Sequence, residues 1–232
     1  MVAVVTPAGG TISLLIGAVL LRLTFTGTYG RYVRVGMAPW LAVAGIAVFL
    51  LGLATLLRAL GRSNVAGVEP HDHGPDRVGW LLLAPIAALL LVAPPTLGSY
   101  GVGRGATVDV RAGTPVFDDL HAGGEPVPMT LLEFGQRAFE RDGVSFNGAE
   151  VDLTGFVAQT RDDGFELARY QIACCAADAT PVVVDVTGVF GDIPQLDEWV
   201  TVTGVFQAGG DPIPRLAATV VRAIPPPNDP YE

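Results

Sequence analysis

Two adjacent cysteines, followed three residues later by an aspartate, are the part of this sequence best suited to chemistry. They stand in the run Cys174-Cys175-Ala176-Ala177-Asp178. Thiolates bind soft or borderline metal ions, and a carboxylate can complete the coordination shell. A disulfide between sequence neighbours would close a strained ring, so we do not expect a covalent staple here. The run therefore indicates either a metal site or a pair of reactive thiols.

The same run is also compatible with the end of a buried strand, because cysteine is among the residues found most often in protein cores. Side chains alternate between the two faces of a strand. Cys174 would then share the inner face with Tyr170 and Ile172, while Cys175 would point to the opposite face. The core interpretation and the functional one both stay open.

Catalysis by a cysteine needs a base that generates the thiolate. The chain has three histidines, His71, His73 and His121. The first two would be separated from the cysteines by a membrane, according to the spans predicted below. The sequence contains no serine elbow and no phosphate-binding loop. We therefore expect that the protein is not an enzyme.

His71 and His73 flank Asp72 in a polar loop and form a second candidate metal site. Imidazole and carboxylate groups suit divalent cations such as zinc. Two histidines alone do not make a tight site, so a solvated loop is the competing interpretation.

Charge and hydrophobicity divide the chain into two parts. Residues 1–103 carry six arginines and three acidic residues, a net charge of +3, whereas residues 104–232 carry eight arginines and twenty acidic residues, a net charge of −12. Half of all residues are hydrophobic, and they are concentrated in the first part. Nucleic acids are bound by clusters of basic residues, so the acidic second part excludes nucleic acid as a partner.

Three apolar stretches in the first part predict about three transmembrane helices, at residues 4–24, 37–58 and 78–98. About 20 residues, each rising 1.5 Å, cross a hydrocarbon core of about 30 Å. A cleaved signal peptide is the alternative for the first stretch, but it requires a basic segment that does not precede Thr11. We expect a multi-pass protein of the cell membrane, surrounded by lipid, with its C-terminal domain on the extracytoplasmic side.

The second part is predicted to hold one helix and a small β domain. Thr130 is a plausible N-cap for a helix over residues 130–141, and Glu133 would complete a capping box. Glycines at Gly155 and Gly204 indicate bulges or bends inside strands. Alternating patterns predict five strands, at residues 151–159, 165–174, 181–186, 199–207 and 216–224.

Five short strands favour a small OB-like β-barrel, and a two-sheet sandwich is the alternative. The predicted fold class is therefore an α+β membrane protein: about three N-terminal transmembrane helices followed by a five-stranded OB-like β-barrel with one preceding helix. The predicted domains are a transmembrane domain at residues 1–103, an irregular acidic linker at 104–128, and the helix with the β domain at 129–232.

Several short motifs, spread over essentially the whole chain, together resemble a known family. They are Thr26-Gly27, Tyr32-Val33, Gly79-Trp80-Leu81, residues 151–157 (VDLTGFV), residues 172–178 (IACCAAD) and Asn228-Asp229-Pro230-Tyr231. This set resembles the bacterial YcgQ-like family of permease subunits, also described as DUF1980. The Cys-Cys-Ala-Ala-Asp step and the Asp-Pro-Tyr tail are its most specific parts.

The resemblance implies an accessory subunit that accompanies a separate multi-span permease, with a link to zinc or another metal. Such proteins often have more histidines in the second loop, where this chain keeps only His71 and His73. That departure weakens the loop as a metal site and leaves Cys175 and Asp178 in place. The family has no established reaction, so the resemblance supplies no catalytic residue.

We therefore expect an accessory subunit of a bacterial transport system, related to a metal cation, with a multi-span permease as its partner. Three helices are few for a transporter, and the predicted spans contain no acidic residue or histidine to mark an ion path. Small residues in the spans would pack against the permease. They are Gly17, Ala18, Ala42, Gly45, Ala47 and Gly52. The alternative is a membrane-anchored thiol-redox or metal-binding module of the envelope.

Overall fold

The computed structural model describes residues 7–63, 96–104, 107–111, 115–189, 191–210 and 212–232. The chain divides into two compact units, Met1–Pro95 and Thr96–Glu232. The described part of the first unit is helical, and the second unit is built around a β-sheet.

Two helices, α1 (Pro7–Phe25) and α2 (Ala38–Ser63), pack closely against each other in the first unit. Glycines make this close approach possible. A Cβ atom added at Gly17 would lie 2.5 Å from the backbone nitrogen of Phe49, and one added at Gly52 would lie 2.5 Å from that of Leu14. Gly17 and Gly52 therefore serve the packing of α1 on α2, and contact of the spans with a permease stays a prediction.

The face of α2 that points away from α1 is apolar and exposed. Trp40, Leu51 and Leu57 expose 69%, 67% and 59% of their surface. The most apolar stretch of 18 residues within Val35–Gly61 has a mean hydropathy of 2.4, and only 11% of it is buried. The 27 residues of Val35–Gly61 are long enough and apolar enough to cross a membrane.

The prediction of about three transmembrane helices is wrong. Within the described residues, one helix is long and apolar enough to span a membrane, and it corresponds to the span predicted at 37–58. The apolar part of α1, Gly9–Phe25, belongs to the shorter class of 10–17 residues. Seventeen residues rise about 26 Å, which falls short of the hydrocarbon core of about 30 Å. The span predicted at 78–98 lies outside the described residues, except for its last three positions.

The described residues of the second unit form six strands and one α-helix of nine residues, α3 (Leu131–Phe139). The strands are β1 (Val127–Met129), β2 (Glu150–Arg161), β3 (Gly164–Gln171), β4 (Thr180–Thr187), β5 (Trp199–Gln207) and β6 (Arg215–Ala223).

These strands form one mixed sheet in the order β1-β2-β3-β4-β6-β5, and β2 additionally pairs with β5. The pairs β1–β2 and β4–β6 are parallel, and the other pairs are antiparallel. The predicted five-stranded OB-like barrel is therefore wrong: the sheet has six strands in a mixed arrangement. The sixth strand was missed because β1 has three residues around Pro128, too few to show an alternating pattern.

The main core lies between α3 and the inner face of the sheet. Phe134 and Phe146 are fully or almost fully buried. Their ring centroids are 5.0 Å apart, and Phe206 stacks on Phe146 at 4.7 Å. Thr130 caps α3 as predicted, since its hydroxyl accepts a hydrogen bond of 3.0 Å from the backbone N–H of Glu133.

Gly155 and Gly204 both lie where another backbone passes close by, but the predicted bulge is found only at Gly204, because the register of β2 with β5 is regular through Gly155. A Cβ atom at Gly155 would lie 2.6 Å from the carbonyl oxygen of Ala168. The pairing of β5 with β6 shifts register between Thr203 and Gly204, which marks a bulge.

Candidate metal site in the loop after strand β3

A second, smaller core anchors the end of β3, from which the candidate site projects. Tyr170 and Ile172 are 4% and 3% exposed, and they pack with Phe156, Trp199 and Tyr231. Strand β3 ends at Gln171, and the chain then forms the segment 173–178, which we call the cysteine loop. The buried side chains on both sides of the strand end therefore fix the point at which this loop leaves the sheet.

Asp178 holds the cysteine loop together through its carboxylate. Its Oδ1 accepts a hydrogen bond of 2.8 Å from the backbone N–H of Ala173. Its Oδ2 accepts bonds of 3.0 Å and 3.2 Å from the backbone N–H groups of Cys174 and Cys175. Three successive N–H groups therefore converge on one carboxylate, a concave backbone arrangement that favours negative charge.

The two thiols lie beside this carboxylate. The Sγ of Cys174 donates a hydrogen bond of 3.0 Å to Oδ2 of Asp178 and lies 3.6 Å from the Sγ of Cys175. Cys174 is exposed and Cys175 is partly exposed. The metal-ligating atoms of the three residues all lie within 4.8 Å of one another. The structure thus brings together the three residues that the sequence singled out.

These contacts shift the acidity of two groups in opposite directions. The hydrogen bond to the Asp178 carboxylate, followed by the contact with Cys175, raises the pKa of Cys174 to about 12. The thiol of Cys174 and the backbone N–H groups of Cys174 and Ala173 lower the pKa of Asp178 to about 2. Without a cation, the site therefore holds a neutral Cys174 thiol and a charged Asp178 carboxylate.

The geometry favours free thiols over a disulfide. Sequence neighbours have Cα atoms about 3.8 Å apart, below the range of about 4.4–6.8 Å that disulfides usually span. Both cysteines are free in the structure. What the arrangement offers is a pair of solvent-accessible sulfur ligands next to a fixed negative charge, which suits a cation.

The core interpretation of Cys174 is wrong, because this residue is exposed. Strand alternation holds as far as Ile172, which is buried. It fails beyond that point because the N–H groups from Ala173 onward turn toward Asp178 instead of a neighbouring strand.

The histidines do not join this cluster in the described part of the chain. His71 and His73 lie outside the described residues, and His121 is exposed in the segment before β1. Among the described residues, Cys174, Cys175 and Asp178 are the one group of three or more histidine, cysteine or acidic residues close enough to share an ion.

The C-terminal segment also positions the site, and this function was not predicted. The backbone carbonyl of Glu232 accepts a bond of 3.2 Å from the N–H of Ile172, and its own N–H donates to Tyr170 at 2.9 Å. Its carboxylate accepts bonds of 2.9 Å and 3.3 Å from the N–H groups of Leu131 and Leu132 at the start of α3. Burial raises the pKa of Glu232, while these N–H groups and Arg169 oppose that rise.

A nearby tyrosine ties the first residues of the second unit to the same strand end. The hydroxyl of Tyr170 donates a bond of 2.9 Å to the carbonyl of Gly98, and burial raises the pKa of Tyr170. The backbone N–H of Ser99 donates a bond of 2.6 Å to Asp197. Gly98 and the C-terminal segment therefore both contact Tyr170, near the base of the cysteine loop.

Comparison with known proteins identifies the second unit. Residues 138–232 match the family model described as the DUF1980 C-terminal domain. The match includes strands β2 to β6 and the whole cysteine loop. No curated protein matches the chain.

Proposed function

Residues 138–232 belong to the DUF1980 C-terminal domain family, and from this premise we propose that the chain is a non-enzymatic accessory subunit of a bacterial membrane transport system. Helix α2, with α1 packed on it, anchors the protein in the lipid bilayer and contacts a multi-span permease. The unit Thr96–Glu232 lies on the extracytoplasmic side and binds a metal cation at the cysteine loop.

The observation that carries this proposal is the two-faced character of α2. One face packs on α1 through glycines such as Gly52, and the opposite face exposes large apolar side chains such as Trp40 and Leu51. An exposed apolar face of this length is stable only against lipid or another apolar surface. A membrane anchor that also docks on a larger protein meets this requirement.

The composition of α1 and α2 favours an accessory role over an ion path that runs through these two helices. Residues 7–63 contain no acidic residue and no histidine. Ion and proton paths through membranes usually depend on such groups. A separate permease would therefore supply the path, and this chain would assist it from the water-exposed side.

The cysteine loop is the part of the water-exposed unit that suits a cation. Two accessible thiols and a carboxylate share a small volume in a unit with a large excess of acidic residues. Such a domain raises the local concentration of cations through its negative field. The loop would thus bind the cation that the permease moves, or one that regulates it.

A thiol-redox module is the second candidate, and the adjacent free thiols are the observation that favours it. Thiol exchange requires a thiolate, which a lowered pKa supplies. The raised pKa of Cys174 opposes that chemistry. Alkylation rates measured across a pH series would detect a thiolate near neutral pH if the redox alternative were correct.

Purification of the tagged, full-length protein from its native membrane in a mild detergent tests the proposal. We expect a multi-span permease to copurify in near-equal amount, together with a bound metal ion. The matched control is the double variant Cys174→Ser with Cys175→Ser, which should retain the permease and lose the metal. Recovery of the unmodified protein without a permease would overturn the accessory-subunit role.

A further inference from the structure

We propose that the two thiols of the cysteine loop bind a soft cation of low coordination number, of the Cu(I) type, and that Asp178 positions the loop without ligating the ion. This inference rests on the proposed cation site and narrows the class of its ligand. It also separates the roles of the three clustered residues.

Backbone N–H groups already use most of the hydrogen-bonding capacity of the Asp178 carboxylate. An ionised carboxylate offers about four lone-pair positions. Three of them accept the N–H groups of Ala173, Cys174 and Cys175, at 2.8, 3.0 and 3.2 Å. Moving the carboxylate onto a metal ion would leave these N–H groups without their partner and would unfold the turn that presents the thiols.

If Asp178 does not ligate the ion, the number of remaining ligands limits which metal ions fit the site. Zinc takes four protein ligands in structural sites, or three and a water in catalytic ones. Without Asp178, the cluster found among the described residues supplies two ligands, the Sγ atoms of Cys174 and Cys175. Thiolates bind both Cu(I) and zinc, but two protein ligands fall short of the three or four that zinc takes, so the low ligand number favours Cu(I).

The positions of the sulfur atoms allow both to bind one ion. Two thiolates at 2.3 Å from a tetrahedral ion are about 3.8 Å apart, and the Sγ atoms here are 3.6 Å apart. Cys174 is exposed, so its side chain has room to rotate and widen the angle for a two-coordinate ion. Binding replaces the two thiol protons, which pass to solvent, and no oxidant or reductant takes part.

The fixed carboxylate next to the thiols favours a cation through its negative charge, and it does so without forming a metal–oxygen bond. Asp178 lies 3.0 Å from the Sγ of Cys174. Groups just outside the coordination shell orient the ligands, and their loss usually lowers metal affinity by about 10–100-fold. Asp178 is therefore expected to act as a positioning residue of this kind.

Metal titrations of the full-length protein in detergent, under anaerobic conditions, test this inference. Cu(I) and Zn(II) are titrated separately against the unmodified protein and against Asp178→Asn, Cys174→Ser and Cys175→Ser. X-ray absorption spectra of the Cu(I)-loaded protein then count sulfur and oxygen neighbours. Asp163→Asn, in the exposed turn between β2 and β3, is the control for removal of one negative charge.

We expect one Cu(I) per chain, with two sulfur neighbours and tighter binding than Zn(II). Asp178→Asn should lower the Cu(I) affinity by about 10–100-fold and leave the sulfur count unchanged. Either cysteine substitution should abolish the site, and Asp163→Asn should have no effect. Preferential binding of Zn(II) with an oxygen neighbour that disappears in Asp178→Asn would overturn this inference and leave the proposed cation site standing. Binding of neither metal would overturn both.

Discussion

Asp178 is an exposed residue whose carboxylate is bound by groups of its own loop. Its carboxylate receives three backbone N–H groups and one thiol, all from residues 173–175. This concentration of donors explains why its pKa falls to about 2 while that of Cys174 rises to about 12. The conformation of the loop therefore depends on the charge of one side chain.

The first prediction concerns the response of the loop to acid. The pKa of Asp178 is lowered in the folded protein to about 2, against about 3.9 for an unfolded chain. The charged Asp178 carboxylate therefore stabilises the folded loop fully above about pH 4, and this stabilisation is lost as the pH falls through about 2. We expect the backbone amide signals of Ala173, Cys174 and Cys175 in NMR spectra to shift together with a midpoint near pH 2. The same signals should lack this transition in Asp178→Asn.

For individual residues, the sequence nominated Cys174, Cys175 and Asp178 as the candidate site, but it misjudged the environment of Cys174. The spacing Cys174-Cys175-x-x-Asp178 was enough to nominate the cluster, because residues so near in sequence are close in any compact turn. The exposure of Cys174 could not be predicted, since strand alternation continues in the sequence through Ile172 and gives no sign that the backbone turns at Ala173. The contribution of Glu232 was equally hidden, since its contacts at Leu131 and Leu132 lie about a hundred positions away.

Among the elements, α2 shows how one helix can serve two environments. Gly45 and Gly52, seven positions apart, face α1, and the opposite face carries Trp40, Val43 and Leu50, all exposed. Residues seven apart lie on the same side of an α-helix. The small residues therefore set the packing of the helix pair, and the large ones stay exposed on the other side.

The second prediction tests this packing with a pair of glycines in the same helix. Gly52→Ala places a Cβ atom 2.5 Å from the backbone nitrogen of Leu14, and such overpacking costs about 1–3 kcal/mol. Gly61→Ala is the control, because a Cβ atom there meets nothing within 4 Å. We expect Gly52→Ala to lower the melting temperature of the protein in detergent and Gly61→Ala to leave it unchanged or raise it. Equal melting temperatures would contradict the close packing of α1 on α2.

Most strand positions followed from local patterns. The predicted segments at 151–159 and 199–207 correspond to β2 and β5, and Thr130 caps α3 as expected. Strand β1 was missed because pairing with β2, rather than any alternation of its own, makes it a strand. The order of the strands was not determined by the patterns, since it depends on pairings such as that of β4 with β6.

For the whole molecule, the third prediction concerns insertion of α2 into the membrane. Leu51 is 67% exposed near the middle of the apolar segment. An arginine at the centre of a spanning helix costs about 2.5–3.5 kcal/mol. We expect Leu51→Arg to reduce the fraction of protein that stays with the membrane after alkaline extraction.

The control for this substitution lies in the second unit. Val144 is 59% exposed there, so Val144→Arg adds the same charge at an exposed position outside the apolar segment. Its membrane fraction should equal that of the unmodified protein. Equal losses for Leu51→Arg and Val144→Arg would show that the effect is unrelated to membrane insertion.

The fourth prediction concerns the side of the membrane on which the second unit lies. Cys174 and Cys175 are the two cysteines of the chain, and neither is buried. A membrane-impermeant maleimide should therefore label them in intact cells, with little further labelling after permeabilisation. Labelling that requires permeabilisation would place the cysteine loop in the cytoplasm and contradict the proposed orientation.

The sequence by itself determined the division into an apolar part and an acidic part, a helix long and apolar enough to cross a membrane, most strands, the resemblance to DUF1980 and the residues of the candidate site. These features depend on composition, on periodicity or on residues a few positions apart. The tertiary structure decided the number of strands, their order, the outward position of Cys174, the packing function of the glycines and the support of the site by Glu232. Each of these depends on contacts between distant segments, and local patterns carry no information about which distant groups meet.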